Sequence, residues 1–346
     1  MRSSRGVVVV LTALLLAGLA TGCGGGDDAG ANRVTTLRLG YFPNLTHATA
    51  IVGVEAGIFR EALGDDRLEV STFNAGPSVV EALFSGGLDA AYIGPNPAIN
   101  AFVKSKGKAI RIISGATSGG AALVVRPGIT TAAQLKGTKV ASPQLGGTQD
   151  VALRSWLADN GLKTDTQGGG DVSILPQENA QTFETFRSGG VQAAWVPEPW
   201  ATRLVQEGGG TVLVDEATLW PGGIFVTTHL IVRTKFLEEH RSTVRALLEG
   251  QVKANDYLNQ NPTEGRRVAN EGIERITGKK LGEPVIAAAW THLSFTNDPV
   301  ASSLSTSAAH AWAIGFLDDF DLKGIYALDL LNEVLQSQGR PLVEAS

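Results

Sequence analysis

The stretch EALFSGGLDAAYIGPNPA at 81–98 recurs 103 residues later as ETFRSGGVQAAWVPEPWA at 184–201. Seven of the 18 positions are identical: the Glu, the Ser-Gly-Gly, the Ala-Ala and the closing Ala. An aromatic, Tyr92 or Trp195, follows each Ala-Ala. Chance similarity between two amphipathic helix, glycine turn and strand units would explain one such match. The surrounding order argues for more, because at nearly the same offset 39–42 and 140–143 are both strand ends that run into polar helix starts. A chain built this way is constrained to two equivalent α/β lobes.

The elements around the repeat agree. Short β-rich runs at 37–41, 68–73, 90–93 and 110–114 alternate with helical spacing at 48–57, 78–85 and 98–104. After 121–125 the pattern restarts, with strands at 139–141, 172–175 and 193–196 and helices at 149–160, 180–188 and 200–207. Such βαβα order predicts mostly parallel sheets covered by helices. The β-branched run IFVTTHLIVR (224–233) returns the chain to the first lobe. Nearly everything after it reads as helix, at 241–261, 263–276, 283–292, 302–320 and 326–338. Lobe one is thus expected at 36–125 plus 225–346 and lobe two at 126–224, with hinge crossings near 124–128 and 225–230. The layout resembles a two-lobed type II periplasmic-binding-protein fold.

The N-terminus speaks to compartment. Arg2 and Arg5 precede a largely apolar run ending at Leu19, shorter than the roughly 20 residues a membrane span needs, so 1–22 reads as an export signal. Leu19-Ala20-Thr21-Gly22-Cys23 resembles a bacterial lipobox, in which the cysteine is acylated and becomes the new N-terminus. Residues 23–35 then form the lipidated Cys23 and a Gly-rich flexible tether. Cys23 is the sole cysteine of the 346 residues, which excludes an internal disulfide framework. Net charge is −5, and −7 once Arg2 and Arg5 are removed. Basic residues form no run longer than Arg266-Arg267 and Lys279-Lys280, which excludes a nucleic-acid partner. The expectation is a monomer, lipid-anchored on the outer face of the cytoplasmic membrane.

Ligands of open α/β sheets sit beyond the carboxyl ends of strands, where helix N-termini point. The segments there are Pro43 to His47, Asn74 to Ser78, Gly94 to Pro97, Gln144 to Gln149 and Val196 to Trp200, and none contains Lys or Arg. An anion would be held by helix termini, amides and hydroxyls. At up to about 2 kcal/mol each, three termini supply most of the roughly 8 kcal/mol of micromolar binding. The candidates are Asn44, Thr46, His47, Gly76, Ser78, Gly94, Asn96, Gln144, Thr148 and Gln149. Trp195, Trp200 and Trp220 could form an apolar sleeve around an organic tail. Glu198 is a cleft hydrogen-bond or amine partner or a solvated helix-start acid. His47 and His229 both map near the cleft, His47 as an anion donor, with no further ligand at metal spacing. No nucleophile elbow, P-loop or GxGxxG stands in the chain, so no catalytic residue, metal or cofactor is expected.

Three segments together, LRLGYFPNLTHATAIVGVEAGIF (37–59), FNAGPSVVEALFSGGLDAAYIGPNPA (73–98) and AAWVPEPWATRL (193–204), make the chain resemble substrate-binding lipoproteins of ABC transporters for nitrate, sulfonate and taurine. The GYFPNLTHA form is most similar to members assigned to aliphatic sulfonates. The resemblance implies capture of a small oxyanion between two lobes and its delivery to a permease driven by a cytoplasmic ATPase. It places Asn44, Thr46, His47, Gly94, Asn96, Thr148 and Gln149 in the pocket, and ranks aliphatic sulfonate ahead of taurine, then nitrate. Two other classes stay open: an enzyme resembling pyrimidine-precursor synthases of thiamine biosynthesis, with His47 and Glu198 reacting, and an extracellular sensing domain.

Overall fold

The computed structural model describes residues 34–345; the export signal and the Cys23 lipidation site lie outside the described residues. Eleven strands are described: β1 (Thr36–Tyr41), β2 (Arg67–Thr72), β3 (Ala90–Ile93), β4 (Ile110–Gly119), β5 (Ala121–Val125), β6 (Lys139–Ser142), β7 (Ser173–Pro176), β8 (Ala193–Pro197), β9 (Thr211–Asp215), β10 (Val226–Arg233) and β11 (Leu293–Phe295). Thirteen α-helices accompany them: α1 (Ala48–Glu55), α2 (Ile58–Leu63), α3 (Gly76–Phe84), α4 (Pro95–Lys104), α5 (Thr148–Asp159), α6 (Asn179–Arg187), α7 (Trp200–Gln206), α8 (Thr234–Glu239), α9 (Arg241–Gln260), α10 (Pro262–Thr277), α11 (Glu283–Trp290), α12 (Ala301–Ala313) and α13 (Asp329–Ser337).

The strands form two sheets, ordered β2-β1-β3-β10-β4-β11 and β7-β6-β8-β5-β9. Each begins with three parallel strands and continues with antiparallel ones: β10 against β3 in the first, β5 against β8 in the second. The repeat is therefore structural. Its Ser-Gly-Gly turn is made twice in the same way. Ser85 Oγ donates to the Ala82 carbonyl and Ser188 Oγ to that of Thr185, both at 3.1 Å, and Gly86 and Gly189 take φ of 76° and 81°.

Both faces of each sheet are covered, and successive residues of a strand enter opposite cores. Leu37 and Leu39 pack under α1, α9, α10 and α13, while Ala91, Ile93 and Ile231 face α3, α4 and α12. In the second sheet Leu123, Val125 and Trp195 pack with α5, and Ala122, Val124 and Val196 with α6 and α7.

Several boundaries differ from the sequence reading. The run at 121–125, assigned to lobe one, pairs with β8 and β9 in the second sheet. β4 continues through its small residues to Gly119, still paired with β10, so the first crossing is Gly119-Gly120 rather than 124–128. The second crossing is the 216–225 segment between β9 and β10. The helix expected at 302–320 stops at Ala313, followed by Gly315 at φ 77°, and that expected from 326 starts at Asp329 because Tyr326 bridges to Ile112. Short elements α2, β9 and β11 carried too little periodicity to be read.

Gly119 and Gly120 both have φ of 80°, and a Cβ at Gly119 would lie 2.4 Å from the His292 carbonyl oxygen. That neighbour is backbone and cannot turn aside. Gly119→Ala is expected to cost about 1–3 kcal/mol, read as a lowered urea midpoint; an unchanged midpoint would mean that the crossing is not constrained as described.

Candidate functional site

A cavity of about 30 Å³ lies where the two lobes meet, room on the scale of two or three waters. Its walls come from both sheets: Phe42, Asn44, Thr46 and His47 after β1, Asn74 to Gly76 before α3, Gly94 and Pro97 after β3, and Thr227 of β10 on one side. The other side supplies Pro143 and Gly147 to Gln149 after β6, Asn179 at the start of α6, and Pro197 closing β8. The repeat pairs four of these: Thr46 with Gly147 and His47 with Thr148 at the offset of 101 that the β1 and β6 register sets, and Gly76 with Asn179 and Gly94 with Pro197 at 103. The site is thus built by the same strand-to-helix corners of two equivalent lobes. None of the lining residues is Lys, Arg, Asp or Glu.

The donors are neutral and fixed. The Phe42 N–H donates to His47 Nδ1 at 3.3 Å, which leaves the ring proton on Nε2. Burial pushes the imidazole down to about 3, so it is an uncharged N–H donor at any physiological pH. Trp200 Nε1 donates to Asn44 Oδ1 at 3.0 Å across the lobes, which leaves the Asn44 Nδ2 donor free to face the cavity. The α5 terminus presents its first backbone N–H groups beside Thr148 and Gln149. The α4 terminus contributes less than the sequence suggested, because Pro95 and Pro97 have no N–H.

Small residues here serve the meeting of the lobes. A Cβ on Gly94 would lie 2.2 Å from Thr148 Oγ1, so only glycine lets β3 and α5 approach this closely. Leu45 N–H donates to the Glu198 carbonyl at 3.1 Å, and Gln144 Nε2 to Ser78 Oγ at 3.2 Å, adding two more bonds between lobes.

Of the sequence candidates, Asn44, Thr46, His47, Gly76, Gly94, Thr148 and Gln149 line the cavity. The others do not. Gln144 Nε2 donates to Ser78 Oγ while Gln144 Oε1 is buried without a partner among the described residues, and Asn96 Nδ2 donates to the Ser307 carbonyl of α12 at 3.0 Å. His229 is fully buried in β10 with Nε2 on the Pro299 carbonyl, and burial lowers it to about 4.

Trp195 is fully buried under α5, edge-on to Trp156, with Nε1 donating to Glu216 at 2.7 Å. Strand alternation sends it to the face opposite Val196, away from the cleft. Trp220 stacks on Phe225 at the second crossing. The three tryptophans therefore form no sleeve; Trp200 alone reaches the cavity wall, through Asn44.

Glu198 turns its carboxylate away, accepting from Thr202 N–H and Oγ1, and faces a separate cavity of about 170 Å³ beside Asp215 and His292. Burial raises its pKa. It is buried and lines this second cavity, whose walls also come from both lobes, rather than the first.

Sequence reasoning missed Asn179 and Thr227. Asn179 was legible in principle, since it stands at the repeat offset from Gly76. Thr227 sits inside an apolar strand pattern with nothing local to mark it. Among the described residues no group of three or more His, Cys, Asp or Glu is placed to hold a metal, and no helix is long and apolar enough to cross a membrane.

A family model described as the NMT1-like family matches residues 30–273. The bicarbonate-binding protein CmpA of Synechococcus is 24% identical over 258 residues, covering 67% of this chain and 56% of that protein. Among solved structures, the periplasmic nitrate-binding protein NrtA of Synechocystis aligns with a TM-score of 0.72 at 20% identity, over 89% of this chain and 90% of that one. The alkanesulfonate-binding protein SsuA of Xanthomonas axonopodis, bound to MOPS, aligns with a TM-score of 0.69 at 19% identity, over 82% and 95%. These likenesses establish the two-lobed periplasmic-binding-protein fold.

Two outcomes follow from the geometry. An unfolded imidazole protonates near its ordinary 6.5 and the folded His47 only near 3. Its contribution to stability is therefore present above pH 6.5 and lost as pH falls toward 3. Nitrogen NMR should find His47 neutral, protonated on Nε2, and not titrating between pH 8 and 5; a midpoint near 6.5 would contradict this environment. Asn96→Ala should lower stability by about 1 kcal/mol, by losing the buried hydrogen bond that ties α4 to α12, and leave anion affinity unchanged. A loss of affinity without loss of stability would return Asn96 to the site.

Proposed function

The chain belongs to the NMT1-like family, and we propose that it is an extracytoplasmic solute-binding protein of an ABC importer, without enzymatic activity, that captures a compact oxyanion between its lobes. The observation that carries this reading is a small cavity of about 30 Å³, lined from both lobes by neutral residues and no charged side chain. Acidic residues, which would repel an anion, are absent from the lining. The donors available are His47 Nε2–H, Asn44 Nδ2, Thr148 Oγ1 and the α5 N-terminus. Helix termini and oriented amides stabilise a buried anion without the desolvation cost of a cation. Retention on the outer face of the membrane through an acylated Cys23, and delivery to a permease and its ATPase, belong to the same proposal.

The size of the cavity favours anions of nitrate or hydrogencarbonate dimensions over the aliphatic sulfonate suggested by the GYFPNLTHA motif. A second reading keeps the sulfonate, or taurine, on one specific observation. An apolar groove of about 260 Å³, lined by Phe183, Trp200, Ile273 and Leu281 and carrying Arg203 and Lys279, lies on the far side of the Asn44–Trp200 bond. If that bond opened, a tail could extend there.

Ligand binding favours the closed state by the difference in affinity between closed and open forms. Calorimetry and thermal shift on the purified full-length protein, refolded free of ligand, test the proposal. The panel holds nitrate, hydrogencarbonate, sulfate, taurine, alkanesulfonates of rising length and a pyrimidine. At 100 times its dissociation constant a ligand stabilises by about 2.7 kcal/mol. The compact anions should bind, and Thr148→Ala should weaken them about tenfold with little change in the ligand-free melting temperature. Affinity that rises with alkyl length would favour the sulfonate reading. Response to the pyrimidine alone would favour the precursor-synthase class.

A further inference from the structure

Further along α5 from the anion cavity, a separate cavity of about 150 Å³ opens beside the second crossing. Glu216, Leu219 and Trp220 of the crossing line it together with Trp156 and Asp159 of α5, and His310 of α12 closes it from the other lobe. Its chemistry is the reverse of the first cavity's: carboxylates and aromatic rings, with no Lys or Arg in the wall.

Glu216 is left unbalanced by the fold. It is 2% exposed, and Trp195 Nε1 donates to its Oε2 at 2.7 Å. Its Oε1 takes no hydrogen bond among the described residues, yet it is not sealed in the core: it keeps accessible surface, and the cavity is the space that Glu216 lines. Trp220 Nε1 stands by the carboxylate without closing a hydrogen bond of its own. Asp215, the preceding residue, adds a like charge, and among the described residues no Lys or Arg pairs with Glu216 or with Asp159. A carboxylate taken out of water without a counter-charge is costly, and burial raises this one to about 7.

The walls specify which cation would restore the balance. Trp220 is held by stacking on Phe225 at 5.4 Å and by the tilted His310 ring at 5.9 Å, while Leu219 stands 49% exposed at the rim. Aromatic surface beside a carboxylate attracts an organic cation. A bare metal ion is served poorly, because among the described residues no three His, Cys, Asp or Glu are placed to hold one.

We propose that this cavity is a second ligand site, which takes a small alkylammonium ion with its nitrogen on Glu216 and its carbon chain against Trp156, Trp220 and Leu219. The site is separate from the anion cavity, and its occupant touches both lobes, through the crossing and through α12.

The probe is n-butylammonium, with n-butanol as its uncharged counterpart, titrated by calorimetry into the full-length protein at constant ionic strength. Wild type should bind the ammonium at least about tenfold tighter than the alcohol. Glu216→Gln, which keeps the shape and an acceptor for Trp195, should lose that preference. The ammonium stays charged from pH 6 to 8 while Glu216 ionises through about 7, so its affinity should rise about tenfold over that range. The other titratable groups around Glu216 are Asp215 on β9, Asp159 on α5 and His310 on α12; burial lowers His310 against the pull of Asp159, which keeps it mostly neutral there. Should Glu216→Gln not fold, the pH dependence and the comparison with butanol in wild type carry the test. Equal binding of ammonium and alcohol, affinity unchanged between pH 6 and 8, or affinity unchanged in Glu216→Gln would overturn the inference. So would no binding of butylammonium at all, whatever the anion cavity holds.

Discussion

The arrangement depends on helix starts from two equivalent lobes being held face to face across one small cavity. A helix N-terminus carries about half a positive charge on its unpaired N–H groups, and such groups in one wall alone would leave an anion half exposed. Here α5 projects from one lobe while Gly94 of the other is bare enough to let Thr148 come within 2.2 Å of where a Cβ would stand. A larger residue at 94 would hold the lobes apart and open the cavity.

The same economy governs charge. Buried charges near the site are neutralised away from the cavity: Asp150 is fully buried, and its carboxylate accepts from Ser142 Oγ, from the Gly146 N–H and from Arg154 Nε at 2.7 to 3.0 Å. That network fixes the loop before α5 and so fixes where its N–H groups point. Arg154 reaches on to the Asp165 carbonyl rather than toward the ligand. His47, held neutral by burial and oriented by the Phe42 N–H, donates without a counter-charge. An anion held this way can leave when the lobes part, since no cation must be stripped from it.

Much of this was legible in the sequence. The 81–98 and 184–201 repeat led to two equivalent sheets, and the strand-to-helix corners it implied do supply the cavity walls. Corners are readable because they combine Gly, Pro, Asn and Thr at the ends of apolar runs. What failed has a common cause: side-chain direction within an element. Trp195 lies beside cleft residues in sequence, yet β alternation turns it into the core. Asn96 is in a cleft segment but on the helix side that meets α12, and Glu198 turns back to cap α7. Crossing points failed for a different reason. Small residues at 115–119 look like a loop, but pairing with β10, a partner more than 100 residues away, keeps them in the strand.

The central claim is that the anion sits among neutral donors and not beside a cation. A crystal structure of the protein with hydrogencarbonate bound tests it most directly. The account predicts density in the cavity within hydrogen-bond distance of His47 Nε2 and the first N–H groups of α5, with no Lys or Arg in contact. Density instead in the neighbouring groove, against Arg203 and Lys279, would contradict it.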